Sequence, residues 1–176
     1  MSSIAGGSYG AFGDDWAAEH LSKADALGGW LALRFRPGLR LMYEALDFAA
    51  THFRTAYLDQ VRKAVNGYDR RILEQPDCAA SFAAASAECF AQGAEGLVRD
   101  AECLYRRWSF DVRRIERPVH LWQGTDDRLV PAIVNRTVAE RMPGAVWHPV
   151  DGAGHFVAIG AADEIFRTAA WDLRET

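Results

Sequence analysis

Cysteine is scarce in this sequence: Cys78, Cys89 and Cys103 are the only three in 176 residues. Their number is odd, their spacings fit no metal motif, and all three fall in a helical stretch. That argues against a disulfide framework and for small packing residues in a reducing compartment. No apolar run approaches the length of a bilayer span, and no charged segment followed by an apolar one marks a secretory signal. These absences point to a cytoplasmic chain with no membrane partner, in which the sequon Asn135-Arg136-Thr137 carries no sugar. No phosphate loop, dinucleotide fingerprint or metal-ligand spacing is present, so neither a cofactor nor a metal is expected. The formal net charge is -4 and no basic stripe stands out, which excludes nucleic acid as the expected partner.

What is present is an ordinary core-forming composition, 49% hydrophobic and 25% charged, in a chain long enough for one domain. Residues 1–13 are rich in Gly and Ser and read as a loop without a strand. Residues 14–112 read as helices throughout. Asp14 and Asp15 are placed to cap a first helix, and Pro37-Gly38 breaks the next. From Leu39 the apolar positions Met42, Tyr43, Leu46, Ala49, Ala50, Phe53 and Tyr57 recur in steps of three and four. That predicts one long helix ending at Asn66-Gly67. Shorter helices follow around Arg70–Gln75, from Asp77 to Ala91 and from Ala94 to Trp108. From Arg117 the texture changes. Residues 118–124 form a short apolar run between turn residues, which predicts a buried strand. A helix from Pro131 to Met142, a strand from Ala145 to Val150 and a final helix from Ala161 to Leu173 complete an α/β pattern with parallel strands.

Ligands of open parallel sheets bind beyond the carboxyl ends of the strands. Two polar clusters fall there, Gly124-Thr125-Asp126-Asp127-Arg128-Leu129-Val130-Pro131 and Gly152-Ala153-Gly154-His155-Phe156. A carboxylate and an imidazole on one rim make the acid–base half of a nucleophilic triad. The carboxylate fixes the tautomer, and the imidazole takes the nucleophile's proton. Either Asp126 or Asp127 could instead cap the following helix.

These two segments resemble the end of α/β-hydrolases, where a G-x-x-D-x-x-V-P loop carries the triad acid and a G-x-G-H loop carries the base. The matching acid is Asp127, 28 residues before His155. The resemblance implies a C-terminal portion of an α/β-hydrolase fold: residues 14–112 would be the helical cap, or lid, and residues 113–176 the end of the α/β core. It implies hydrolysis of a small, apolar ester, amide or related substrate, with no cofactor. The cap aromatics Trp16, Trp30, Phe35, Tyr43, Phe48, Phe53 and Tyr57 would line an acyl pocket or, more simply, pack the stacked helices. His20 and His52 have no ligand-spaced neighbours, and His120 and His148 lie inside strands in structural roles.

The family orders its residues nucleophile, acid, histidine. One G-x-S-x-G is present, Gly6-Gly7-Ser8-Tyr9-Gly10, which nominates Ser8. Its surroundings fit poorly, because too few residues precede it for a central strand and turn residues, not a helix, follow. Residues 2–16 look more like the loop just before the cap. The expectation is therefore a truncated hydrolase whose nucleophile lies elsewhere. Two strands cannot close a stable sheet, which calls for a homo-oligomer or a separate N-terminal half. A binding fragment, or a minimal esterase using Ser8, remain the alternatives.

Overall fold

Local capping chemistry and proline set where several of the helices begin. The computed structural model describes residues 1–175, with side chains through Trp171. A short strand β1 (Ser2–Ile4) is followed by a loop and a 3-10 turn (Ala18–His20). The helical block contains α1 (Lys23–Arg34), α2 (Arg36–His52), α3 (Arg54–Ala64), α4 (Gly67–Leu73), α5 (Pro76–Glu88) and α6 (Glu95–Tyr105). The Ser22 hydroxyl caps α1 by accepting from the Asp25 N–H at 3.2 Å, and the Asn66 side chain caps α4 by accepting from the Asp69 N–H at 2.9 Å. Pro37 and Pro76 stand in the first turns of α2 and α5, where a missing N–H costs nothing. After a second 3-10 turn (Val112–Arg114) come β2 (Val119–Gly124), α7 (Ala132–Arg141), β3 (Ala145–Val150), α8 (Val157–Gly160) and α9 (Ala162–Glu175).

The three strands form one parallel sheet in the order β1-β2-β3. The central strand β2 is buried at every position. Val119 and Leu121 pack with Val112, Val138 and Met142 on the α7 side of the sheet. In the helical block, Ala32, Leu39, Val98 and Ala101 make a second cluster between α1, α2 and α6. Leu39 and Val98 are fully buried, each contributing about 1.5–3 kcal/mol of transfer free energy. No described helix is long and apolar enough to cross a membrane.

The structure corrects four expectations. Residues 1–13 are not all loop: Ser2–Ile4 pairs with β2 in the register Ser2↔His120, Ser3↔Leu121 and Ile4↔Trp122. Three residues carry no side-chain period, and the backbone ladder alone makes them a strand. Asp14 and Asp15 do not cap a helix. Asp14 accepts instead from the Arg107 N–H at 2.7 Å, and Asp15 pairs with Arg34 at a positive φ of 61°. The long helix from Leu39 breaks at Phe53, whose φ and ψ of -126° and 45° leave the helical region. There the His52 ring nitrogen lies 3.2 Å from the Phe48 carbonyl, an alternative partner at a helix end. The aromatics of the helical block do not all pack internally: Trp30, Phe35, Phe48 and Phe53 are each about half exposed.

Candidate active site

Gly124 and Val150 are register partners at the carboxyl ends of β2 and β3, so the loops that follow leave the same rim. They are stitched together at once. The Thr125 N–H donates to the Val150 carbonyl at 3.1 Å and the Asp126 N–H to the Ala153 carbonyl at 3.0 Å. The Thr125 hydroxyl accepts from the Gly152 N–H at 2.9 Å. A Cβ at Gly124 would collide with the carbonyls of Ala153 and Gly154, so this close approach requires glycine.

Asp127 is the residue turned inward, whereas Asp126 is exposed and contributes only its backbone N–H. The Asp127 side chain is wholly buried. Its Oδ1 accepts from the N–H groups of Leu129 and Val130, at 2.8 and 2.9 Å. Its Oδ2 accepts from Gln123 Nε2 at 2.9 Å and lies 3.0 Å from His155 Nδ1. Gln123, fully buried in β2, also donates to the Val130 carbonyl at 3.1 Å and accepts from Asn135 Nδ2 of α7 at 2.5 Å. The carboxylate is therefore held at both oxygens, and a protonated Nδ1 is the tautomer that satisfies it. That leaves Nε2 of His155 to exchange a proton with a reacting group. Burial pushes the imidazole down, but the Asp127 hydrogen bond, its charge and the charge of Asp69 outweigh it, and the pKa is raised above the ordinary value.

The histidine loop is held from the helical block as well. Asp69 of α4 is 1% exposed, and its two oxygens accept from the N–H groups of His155 at 2.7 Å and Phe156 at 3.1 Å. Asn66 Nδ2 donates to the Gly152 carbonyl at 3.2 Å. Sequence reasoning missed Asn66, Asp69, Gln123 and Asn135. Gln123 was findable, with His120, as a polar side chain inside an apolar run, but nothing near Asp69 signals a contact 86 residues away.

Ser8 is not brought to this pair by any hydrogen bond among the described residues. It sits half-buried in the loop after β1, with its carbonyl accepting from the Ala11 N–H at 3.3 Å. Its φ is not positive, and no helix follows until the 3-10 turn at Ala18, so the strained strand-to-helix turn of an elbow is not there. The neighbouring Tyr9 ties this loop to the acid loop through a hydroxyl donating to the Leu129 carbonyl at 3.4 Å. His120 and His148 lie on adjacent strands with ring nitrogens 2.7 Å apart, and His148 stacks on Trp122. No cluster of three metal-ligating side chains occurs among the described residues.

No family model and no curated protein matches the sequence. Solved structures match by shape. An esterase from Exiguobacterium antarcticum is 14% identical with a TM-score of 0.51, over 77% of this chain and 48% of that one. A bromoperoxidase from Bacillus anthracis is 19% identical with a TM-score of 0.50, over 74% and 48%. A thermophilic esterase from Thermogutta terrifontis is 12% identical with a TM-score of 0.51, over 85% and 61%. The chain spans about half the length of the first two of these proteins. Parallel sheet, preceding helical block and shape together assign the chain to the α/β-hydrolase fold, of which it carries a part.

Proposed function

We propose that this chain is the cap and C-terminal core of a serine hydrolase acting on a small ester, amide or related substrate. The observation that carries the reading is the 3.0 Å contact between His155 Nδ1 and the buried, fully hydrogen-bonded Asp127. In this reading a serine from outside the described residues attacks the carbonyl carbon, and its proton passes to His155 Nε2. The C–O or C–N bond then breaks as that proton goes to the leaving group, while Asp127 stays ionised and steadies the imidazolium. Backbone N–H groups, also from outside, hold the oxyanion. An apolar groove of about 440 Å³ beside Phe156, lined by Ile72, Leu73, Phe82 and Ile159, supports a substrate with a hydrocarbon portion.

A second reading, a binding or assembly module, is favoured by the free outer edge of β1 and the exposed aromatics of the cap. The test is hydrolysis of a short p-nitrophenyl ester by the purified chain, beside Ser8→Ala and His155→Ala. Background rates in all three are expected, with activity appearing when a strand-and-elbow half is supplied and lost again in His155→Ala. Activity of the chain alone that both substitutions abolish would make Ser8 the nucleophile. Supplied with that half, a rate indifferent to His155→Ala would leave the module reading.

A further inference from the structure

A buried carboxylate without a cation is costly to keep, and Asp69 has no ion-pair partner among the described residues. Both of its oxygens are committed to one place, the N–H groups of His155 and Phe156. An asparagine of the same shape could accept from only one of them and would turn its own N–H₂ toward the other. The loop is fitted to this carboxylate in return. A Cβ at Gly154 would lie on top of the Asp69 carboxylate, so only glycine lets it approach. Three residues earlier, Asn66 grips the same turn at the Gly152 carbonyl while its Oδ1 fixes the Asp69 N–H. The first turn of α4 therefore clamps both sides of the histidine turn. The charge that does so stands beside an imidazole already facing Asp127.

Resting on the hydrolase reading of this site, we propose that Asp69 is a positioning residue for His155. It fixes the backbone that carries the imidazole and adds a second negative charge in support of the imidazolium. Seating of the helical block and readiness of the base are thereby coupled. A block that swings away takes the carboxylate with it and frees two N–H donors, so the base is set only when the cap is home. The titratable groups facing the imidazole are Asp127 and Asp69, and those facing Asp69 are His155 and Asp127.

The test is NMR on the isotope-labelled full chain, wild type beside Asp69→Asn. The Cε1 proton of His155 reports its titration, the amide protons of His155 and Phe156 report the clamp, and the Leu121 and Trp122 amides in β2 report the fold. The expected result is a His155 titration moved to lower pH and both loop amides moved upfield, with the β2 amides in place. A purely structural role would leave the imidazole titration of a folded variant where it was. Titration curves and loop amides that superimpose on wild type overturn the proposal.

If Asp69→Asn does not fold, wild type alone decides. The Asp69 carboxyl carbon and the two loop amides are expected to follow one pH curve, and independent movement overturns the proposal. None of these readouts needs a nucleophile. Failed hydrolysis would leave the positioning role standing, and a failed clamp would leave the hydrolase reading standing.

Discussion

Two parts of the same small sheet are finished to different degrees. At the carboxyl ends of β2 and β3 every oxygen of Asp127 is occupied, Gln123 bridges β2, the acid loop and α7, and Asp69 and Asn66 hold the histidine turn from the helical block. At β1 a three-residue strand contributes one ladder, and its other side pairs with no strand among the described residues. A buried polar network holds its members firmly where they are paired, and in this one Asn135 Oδ1 alone takes no hydrogen bond among the described residues, so the acid and histidine loops are its tightly held part. A strand with one free edge is a place where pairing can continue. Under the proposed hydrolase reading, the firmly held part is the acid–base pair and the open edge is where the rest of the sheet would join.

The largest expected effect lies in the firmly held region. Replacing Gln123 by leucine keeps the volume but strips a donor from Asp127 Oδ2 and from the Val130 carbonyl, and an acceptor from Asn135. Leaving buried polar groups unpaired costs about 1–3 kcal/mol each, so Gln123→Leu should lose about 3 kcal/mol in urea denaturation. A loss below about 1 kcal/mol would mean that the acid loop does not depend on this network.

How far these two regions could be read in the sequence follows from the kind of signal each carries. β2 and β3 are apolar runs between turn residues, and β3 occupies the expected Ala145–Val150. Asp127 and His155 stand out through motifs whose residues are close in sequence, and their meeting needs only that the two strands be adjacent. β1 could not be read, because three residues hold no period and its existence depends on β2, more than a hundred residues away. The break at Phe53 escaped because the apolar stripe runs on across it while the backbone does not. Asp69 was hidden for the same reason as β1: a carboxylate in a polar stretch, Tyr68-Asp69-Arg70-Arg71, looks solvated until the fold buries it.

A smaller effect concerns charge at the rim. His155 has a raised pKa when folded, so its contribution to stability is fully present below the unfolded value of about 6.5 and is lost as pH rises through the folded value. Burial likewise raises the Asp69 carboxyl, against the pull of its two N–H donors. An acid with a raised folded pKa also costs stability as pH rises, but in a lower window that starts near the ordinary carboxylate value of about 3.9. Stability measured by denaturant at a series of pH values should therefore fall above pH ~6.5 in wild type, and His155→Gln should flatten that upper slope alone. An unchanged upper slope in His155→Gln would place its origin outside the acid–base pair.

The smallest effect on stability sharpens the comparison most. In a parallel strand, alternate residues turn both backbone groups to one side. The Met1 carbonyl accepts from the His120 N–H and the Ala5 N–H donates to the Trp122 carbonyl, so residues 1, 3 and 5 face β2 while Ser2 and Ile4 face the open edge. Proline at an outward position removes a donor that bonds nothing in the sheet, and edge strands tolerate it. Ile4→Pro should thus cost less than about 1 kcal/mol, whereas Ser3→Pro removes a ladder donor and should cost more. If another strand, from a second copy or from a separate half, completes the sheet here, Ile4→Pro should abolish that association in sedimentation while leaving the melt of the chain nearly unchanged. Association that survives Ile4→Pro would move the interface off this edge, to the outer edge of β3 or to the exposed aromatics of the helical block.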